Sequence, residues 1–415
     1  MNDLDATDIA DAVGSGAITP ALVAEHFLER IGVDEPDIQA FASFDAEAVR
    51  NQARGLCAGL LAGVPVGVKD IFDTADHPTE FYSPIYQGNR PSRDAHVVTL
   101  LRQAGAIIMG KTHTTEFAYM HTGPTRNPLD LSRTPGSSSA GSAAGMAAGF
   151  FPLALGTQTA GSLLKPAAYC GLYAFKPSFG LVSLEGVKPL APSFDTVGWY
   201  GRSVRDLERV ARVLIPGFPA VEAGRRPLRL GFCRTCRWSD VQPSVAQAIE
   251  LAIARLGPLV SEVVLPEAFD GVFDDHQLIN DCEGARSLAK EFQSHPDLLS
   301  DSTLAMIERA QATSWEQESA AKARLAQLGP QLAQICQPFD AMLSVSCGML
   351  APVGLETTGP SDFIKFWGAF GLPQVNVPVA RGDGELPVGL QVIGAFRGDA
   401  PLLSAAQVIV DALVS

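Results

Sequence analysis

Cysteine is scarce in this chain, and long apolar runs are missing from it. Only seven of the 415 residues are cysteines, scattered along the sequence. A secreted disulfide scaffold is short and dense in cysteine, so we expect a reducing compartment. The best candidate for a membrane helix, Ala143 to Gly156, contains Pro152 and is shorter than the ~20 residues that a membrane span needs. The N-terminal residues lack the basic and apolar regions of a signal peptide, so a cytoplasmic protein is expected.

Basic residues are also in short supply. The chain has 31 Lys and Arg against 45 Asp and Glu, which gives a formal net charge of −14 at pH 7. A protein of that charge is repelled by phosphate backbones and by anionic membrane surfaces. We therefore expect neither a nucleic acid nor a membrane among its partners.

The motifs of several enzyme classes are missing as well. The sequence has no G-x-S-x-G turn, no lysine-containing phosphate loop and no G-x-G-x-x-G after a strand, so the usual Ser-His-Asp hydrolases, NTPases and dinucleotide enzymes lose support. Cys233 and Cys236 form a lone C-x-x-C without the further ligands that zinc requires. The seven histidines are dispersed, although His113 and His121 flank a turn and could line a pocket. We expect no metal and no cofactor.

Helices and short apolar strands alternate along a sequence that is 47% hydrophobic. This alternation predicts an α/β fold with a large mixed, mostly parallel sheet, covered by helices on both faces. No linker divides the chain, so we expect one domain over residues 1–415, in which the helical stretch of about 240–340 serves as scaffold or cap. The predicted strands are 64–68, 106–111, 151–155, 375–379 and 387–393; the predicted helices are two within 1–56, then 96–103, 136–149 and one from 399 onward.

Two segments rich in Gly and Ser are the most informative part of the chain. They run from Pro135 to Ser142 and from Gly156 to Ser162, and small residues in such loops leave backbone N–H groups free to converge on an oxyanion. A serine nucleophile needs a base, and Lys69 follows the apolar run 64–68, where burial would keep its amine neutral. The residues alone thus raise the hypothesis of a Ser/Lys hydrolase, but they favour the alternative of turn glycines, helix caps and a surface lysine.

Several of these segments closely resemble the amidase signature family. The similar stretches are 67–70, 135–149, 155–171, 175–180, 371–373 and 386–391, and the resemblance extends over about residues 8 to 410. It implies the amidase signature fold, with a signature core at about 62–205. The length and the S-x-x-[basic]-P-A-A-Y-C-G pattern at 162–171 are most similar to the bacterial malonamidase-type amidases.

The resemblance also implies roles for individual residues. Ser162 would be the acylated nucleophile, Ser138 would lie on a non-proline cis peptide and bridge to the nucleophile, and Lys69 would be the base. Ser139 would support that bridge, and Lys165, where malonamidase-like members carry Arg, would bind a substrate carboxylate. The oxyanion hole would consist of the backbone N–H groups of Thr159, Ala160, Gly161 and Ser162.

Two further positions depart from the family pattern, because Ala160 and Ser137 stand where glycine is usual. If either needs a positive φ, its Cβ costs roughly 1 kcal/mol or more and turns the oxyanion donors away from their target.

The leading expectation is a serine amidohydrolase that cleaves a small carboxylic amide, such as the half-amide of a short dicarboxylic acid, to acid and ammonia through an acyl-enzyme. One alternative is the glutaminase subunit of a tRNA-dependent amidotransferase, and another is an inactive binding or scaffold member of the family. The pocket walls are expected to come from residues 110–130 and 340–370. The resemblance further suggests a homodimer.

Overall fold

A computed structural model describes residues 4–55, 58–221, 227–381 and 386–414 of the protein. Cys57 lies outside these residues. Within them the strands are β1 (Phe41–Phe44), β2 (Pro65–Lys69), β3 (Ile107–Thr112), β4 (Leu153–Gln158), β5 (Tyr173–Lys176), β6 (Thr196–Gly201), β7 (Leu230–Phe232), β8 (Val260–Glu262), β9 (Ala341–Val345), β10 (Gln374–Arg381) and β11 (Pro387–Ile393).

The helices of the same residues are α1 (Ala6–Gly14), α2 (Pro20–Ile38), α3 (Ala46–Ala53), α4 (His96–Gln103), α5 (Ala140–Ala147), α6 (Leu164–Cys170), α7 (Val204–Leu214), α8 (Pro243–Leu256), α9 (Val272–Ser287), α10 (Ala289–Ser294), α11 (Asp301–Gln311), α12 (Trp315–Cys336), α13 (Asp362–Gly368) and α14 (Asp399–Val414). No helix in the described part of the chain is long and apolar enough to cross a membrane.

All the strands join in one sheet, in the order β1-β3-β2-β4-β6-β5-β10-β11-β9-β7-β8. The sheet is mixed, as predicted, but the expectation that it is mostly parallel is wrong: among the described strands only four of the ten pairings are parallel. Parallel neighbours need a crossover connection, usually a helix. The connection from β5 to β6 contains no α-helix, and only five residues separate β10 from β11, too few for a crossover. Both pairs of consecutive strands are accordingly antiparallel.

Helices cover both faces of the sheet, as predicted. Every residue of β2, β4 and β11 is buried, and because successive side chains point to opposite faces, both faces of these strands are covered. Helices α5 and α6 pack against β2, β4, β10 and β11, while α7, α8 and α14 pack against β5, β6, β10 and β11. This burial gives the core in which the site residues lie.

Local signals placed several elements correctly. The Thr19 side chain accepts a hydrogen bond from the N–H of Leu22 and Pro20 begins α2, as their N-terminal signals predict. The glycine-rich helix is confirmed in shorter form, because α5 begins only at Ala140. Its glycine at 141 allows close packing, since a Cβ there would overlap the carbonyl oxygen of Ala40.

Candidate active site

Three separate segments bring the expected site residues together. Lys69 ends β2, Ser138 precedes α5, and Thr157 lies near the end of β4, the parallel neighbour of β2. The Lys69 Nζ donates hydrogen bonds to Ser138 Oγ at 2.8 Å and to Thr157 Oγ1 at 2.7 Å. The end of one strand thus places an amine against a serine from a different loop.

The environment of Lys69 favours its neutral form. The side chain is fully buried, and burial lowers its pKa to about 7, although the negative charge of Asp195 opposes the shift. Loss of hydration disfavours a charged amine. Near neutral pH a large fraction of this lysine can therefore accept a proton.

Ser162 lies in the turn between β4 and α6, with its side chain at a cavity. Its Oγ is 3.1 Å from Ser137 Oγ, and the residue is 8% exposed. Among the described residues, no hydrogen bond joins Ser138 Oγ to Ser162 Oγ. The structure therefore has the Lys69–Ser138 half of the expected bridge, and Ser137 is the residue whose hydroxyl meets Ser162.

The expected cis peptide at Ser138 is not found. Every peptide bond in the described part of the chain is trans. A trans bond avoids the cost of about 3–4 kcal/mol that a non-proline cis bond carries in peptides. In this backbone the hydroxyls of two successive serines take separate partners, Lys69 for Ser138 and Ser162 for Ser137.

The loop before α6 offers free backbone donors. Within the described residues, the N–H groups of Ala160, Gly161 and Ser162 donate no hydrogen bond. The next two N–H groups, of Leu163 and Leu164, both donate hydrogen bonds to the side-chain carbonyl oxygen of Gln158. Free N–H groups at a cavity are the donors that an oxyanion requires.

The two departures from glycine cause no backbone strain. Neither Ser137 nor Ala160 is among the described residues with positive φ, so a Cβ is compatible with both positions. The neighbouring Gly136 does have a positive φ of 121°. A Cβ on Gly161 would lie 2.7 Å from the side chain of Ser361, so glycine there permits close packing.

Ser139 lies behind these groups, fully buried. Its Oγ donates to the carbonyl oxygen of Thr157 and accepts from the N–H of the same residue, each at 3.3 Å. Its own N–H donates to the carbonyl oxygen of Ser162, also at 3.3 Å. Ser139 therefore connects the segment of Ser138 to the segments of Thr157 and Ser162.

Thr159 begins the loop of residues 159–162, and two side chains form hydrogen bonds with it. Its hydroxyl donates to Asp195 Oδ1 at 2.5 Å. Its carbonyl oxygen lies 3.2 Å from the Nε2 of His276, which comes from α9. The helical stretch of about residues 240–340 thus contacts the loop that contains Ser162.

Lys165 is buried beside the same cavity and is only 1% exposed. Its Nζ donates to Thr358 Oγ1 at 3.1 Å and to the carbonyl oxygen of Gly359 at 2.6 Å. Burial lowers its pKa to about 8, so the ammonium form predominates at pH 7. An ammonium group has three donors, and these two contacts leave one for another partner.

The cavity at Ser162 has a volume of about 380 Å³. Residues 118–120 and 359–362 form part of its wall, within the stretches expected from the sequence. The interpretation of residues 240–340 as scaffold or cap missed three polar side chains that also line it, Gln277, Asn280 and Arg309. No motif marks these residues, because α9 and α11 bring them to the cavity from far along the chain.

The remaining candidates lie elsewhere. His113 and His121 line a separate cavity of about 1250 Å³, and burial lowers the pKa of His113 to about 4. Cys233 and Cys236 are both free thiols, the first buried and the second exposed. In the described part of the chain, no group of three or more His, Cys, Asp or Glu side chains is arranged to hold a metal ion.

Comparison with known proteins agrees with this architecture. A family profile described as Amidase matches residues 22–403. The structure superposes on a solved protein described as an amidase with a TM-score of 0.89, at 31% identity over 99% of both chains. The family match and the structural similarity define the class of the chain as the amidases. The chain belongs to the amidase family, known from its sequence motifs as the amidase signature family.

Relatives within the family are named for a more specific activity. The chain is 35% identical over 321 residues to a glutamyl-tRNA(Gln) amidotransferase subunit from Roseiflexus sp., covering 70% of this chain and 66% of that protein, just under two thirds. It is 31% identical to the subunit of the same name from Carboxydothermus hydrogenoformans, over 97% of this chain and 96% of the relative. The solved Thermotoga maritima subunit of that name gives a TM-score of 0.79 at 26% identity, over 93% of this chain and 90% of that one.

Proposed function

We propose that this protein is a serine amidohydrolase that converts a small carboxylic amide to the acid and ammonia through an acyl-enzyme on Ser162. The observation that carries the proposal is the hydrogen bond of 2.8 Å between the fully buried Lys69 and Ser138. A buried lysine with a lowered pKa can act as a base near neutral pH. No metal or cofactor takes part in the proposed reaction.

The reaction begins with attack of Ser162 Oγ on the carbonyl carbon of the amide. The proton of that hydroxyl moves through Ser138 to the neutral amine of Lys69. Negative charge develops on the carbonyl oxygen, where the backbone N–H groups of residues 159–162 stabilise it. Collapse of this intermediate breaks the C–N bond, the proton returns to the leaving nitrogen as ammonia forms, and water then hydrolyses the ester of Ser162 by the same route.

Ser137 has a supporting role in this scheme. Its hydroxyl lies 3.1 Å from Ser162 Oγ but makes no contact with Lys69 in the described residues. We assign the proton transfer to Ser138 because this serine has the direct bond to the base. Ser137 then orients the hydroxyl of Ser162.

The cavity favours a small substrate with an anionic group. Its volume of about 380 Å³ is near the lower end of ordinary ligand pockets, which begin at ~300 Å³. Lys165, Arg309 and Lys365 line it together with Asp362. Arg309 is paired with Asp281 and Lys365 with Asp362, whereas Lys165 has no carboxylate partner among the described residues. The carboxylate of a half-amide of a short dicarboxylic acid can accept a hydrogen bond from the remaining donor of Lys165. The malonamidase-type resemblance implies the same substrate class.

A second candidate is the glutaminase subunit of a tRNA-dependent amidotransferase. The relatives named for that enzyme favour it, one of them over nearly the whole chain. Glutamine is also a small amide, with both a carboxylate and an ammonium group, and Asp362 beside the cationic residues would suit this pair of charges. This candidate requires partner subunits and tRNA in the complete reaction, in contrast to the expectation of no nucleic-acid partner.

Ammonia release separates the two candidates. The isolated chain is incubated with glutamine, half-amides of short dicarboxylic acids and neutral amides, and then again with candidate partner subunits. The amidase proposal predicts hydrolysis of half-amides by the chain alone. Activity confined to glutamine, and raised by partner subunits, would instead support the second candidate. The Ser162→Ala variant supplies the blank for each substrate.

An inactive scaffold is the third alternative from the sequence. It rested on loss of function through Ala160 and Ser137, and the absence of positive φ at both positions removes its physical basis. Labelling by a fluorophosphonate gives the test, because such a reagent reacts with a serine only when its nucleophile and oxyanion hole are competent. An unlabelled wild-type protein would favour the scaffold.

A further inference from the structure

His276 is a fully buried histidine at a position where the proposed reaction has not yet used it. It lies on α9, outside the segments that resemble the family motifs. Its ring is stacked on Phe194, with 4.0 Å between centroids and 16° between planes. Its Nε2 is 3.2 Å from the carbonyl oxygen of Thr159.

The partner of this ring fixes its tautomer. A carbonyl oxygen can only accept a hydrogen bond, so the proton is on Nε2 and Nδ1 is the bare nitrogen. Nδ1 has no hydrogen-bond partner in the described residues. Burial also lowers the pKa of His276 to about 3, so the ring remains a neutral Nε2–H donor throughout the pH range of ordinary assays.

The carbonyl of Thr159 and the N–H of Ala160 belong to one peptide group. In a trans peptide these two groups lie in one plane and point in opposite directions. A donor that holds the carbonyl on one side therefore fixes the direction of the N–H on the other. The N–H of Ala160 donates to no group among the described residues, and Ala160 lines the cavity together with Ser162.

Building on the proposed function, we infer that His276 is a positioning residue for the oxyanion hole: its Nε2–H holds the Thr159 carbonyl so that the Ala160 N–H points at the reacting carbonyl oxygen of the substrate. The bond also polarises the peptide, which strengthens the N–H as a donor. The hydrogen bond from the Thr159 hydroxyl to Asp195 restrains the same residue through its side chain. A helix without catalytic motifs thereby contributes to catalysis.

Two substitutions separate the donor from the ring. His276→Phe keeps an aromatic ring against Phe194 but removes the N–H, whereas His276→Gln loses the ring but retains an amide N–H at about the position of Nε2. Phe273→Leu is the matched control, because Phe273 is a buried ring of the same helix that packs on Phe366. In the part of the chain that the structure describes, no hydrogen bond or ring contact joins Phe273 to residues 159–162. Thermal unfolding is measured for all of them.

The readouts are kcat and KM for the best amide substrate and the rate at which a fluorophosphonate labels Ser162. Losing an oxyanion donor outright typically lowers kcat by ~100- to 1000-fold, so a misdirected donor is expected to lower kcat and the labelling rate by about 10- to 100-fold. KM should change by less than about twofold, because the interaction develops in the transition state. His276→Gln should recover most of the loss, and Phe273→Leu should lower the unfolding temperature without changing kcat.

The outcomes distinguish this inference from the function on which it rests. If the wild type is labelled at Ser162 and His276→Phe reacts at the same rate, the positioning role is wrong and the proposed function stands. A His276→Gln variant as slow as His276→Phe, with both folded, would also overturn it, because then the N–H is not what matters. If the wild type neither turns over amides nor reacts at Ser162, the proposed function fails and this inference with it.

Discussion

The pH dependence of kcat/KM offers a detailed test of the two buried lysines at the candidate site, Lys69 and Lys165. Burial lowers the pKa of Lys69 to about 7, and the base acts only when neutral. The neutral fraction of such a group rises from about 9% at pH 6 to about 91% at pH 8, so we expect kcat/KM for a neutral amide to rise about tenfold over this range and then to level off.

A half-amide should respond differently because it also needs the positive charge of Lys165. Burial lowers the pKa of Lys165 to about 8, and its protonated fraction falls from about 91% at pH 7 to about 9% at pH 9. The profile for a half-amide should therefore be bell-shaped, with its maximum between about pH 7 and 8, since kcat/KM reports the groups of the free enzyme.

Initial rates of ammonia release at low substrate concentration, from pH 5 to 9 in buffers of constant ionic strength, give both profiles. Lys165→Met should abolish the alkaline fall for the half-amide, and Lys69→Arg should not restore the rate, because a guanidinium stays charged. A profile that is flat from pH 5 to 9 for a neutral amide would refute the role of Lys69. Identical profiles for the two substrates would refute the role of Lys165.

Four further predictions follow from the contacts at the site. Ser162→Ala should lower turnover by at least about 100-fold with unchanged thermal unfolding, and a variant retaining more than about a percent of the activity would contradict its role. Ser138→Ala should lower kcat by about 100- to 10,000-fold. Ser137→Ala should lower it by only about fivefold, since one hydrogen bond contributes about 1 kcal/mol, and a loss equal to or larger than that of Ser138→Ala would show that the proton passes through Ser137. Lys165→Met should raise KM about tenfold or more for half-amides, the scale of a lost charge-assisted bond, and leave neutral amides little changed; an equal effect on both classes would exclude carboxylate recognition. Activity should survive chelators and thiol alkylation, and loss with a chelator that zinc reverses would require a metal.

The sequence predicts best those parts of the fold that local rules control. The first turn of α2 and the end of β2 follow from their own residues. The direction of strand pairing does not, because it depends on which connections carry a helix, and β1 and β5 are strands of only four residues without a clear alternating pattern. The prediction of a mostly parallel sheet was wrong because the sequence did not show which connections lack a helix.

For the site, motifs predicted the residues of the loops but not their partners. Lys69 and Ser138 are in contact, as the resemblance implies. The Ser137–Ser162 contact depends on the backbone geometry of a single turn, which the residue types do not specify. His276 and Arg309 reach the site from α9 and α11, and only the tertiary packing of those helices shows that they are near it.

The most direct test of the central claim is to identify the residue that becomes covalently modified. The protein is treated with a fluorophosphonate, and the modified peptide is located by mass spectrometry, with Ser162→Ala treated in parallel. The proposed mechanism predicts a single adduct on the peptide that contains Ser162, and none in the variant. An adduct at another residue, or equal labelling of the variant, would contradict the assignment of Ser162 as the nucleophile.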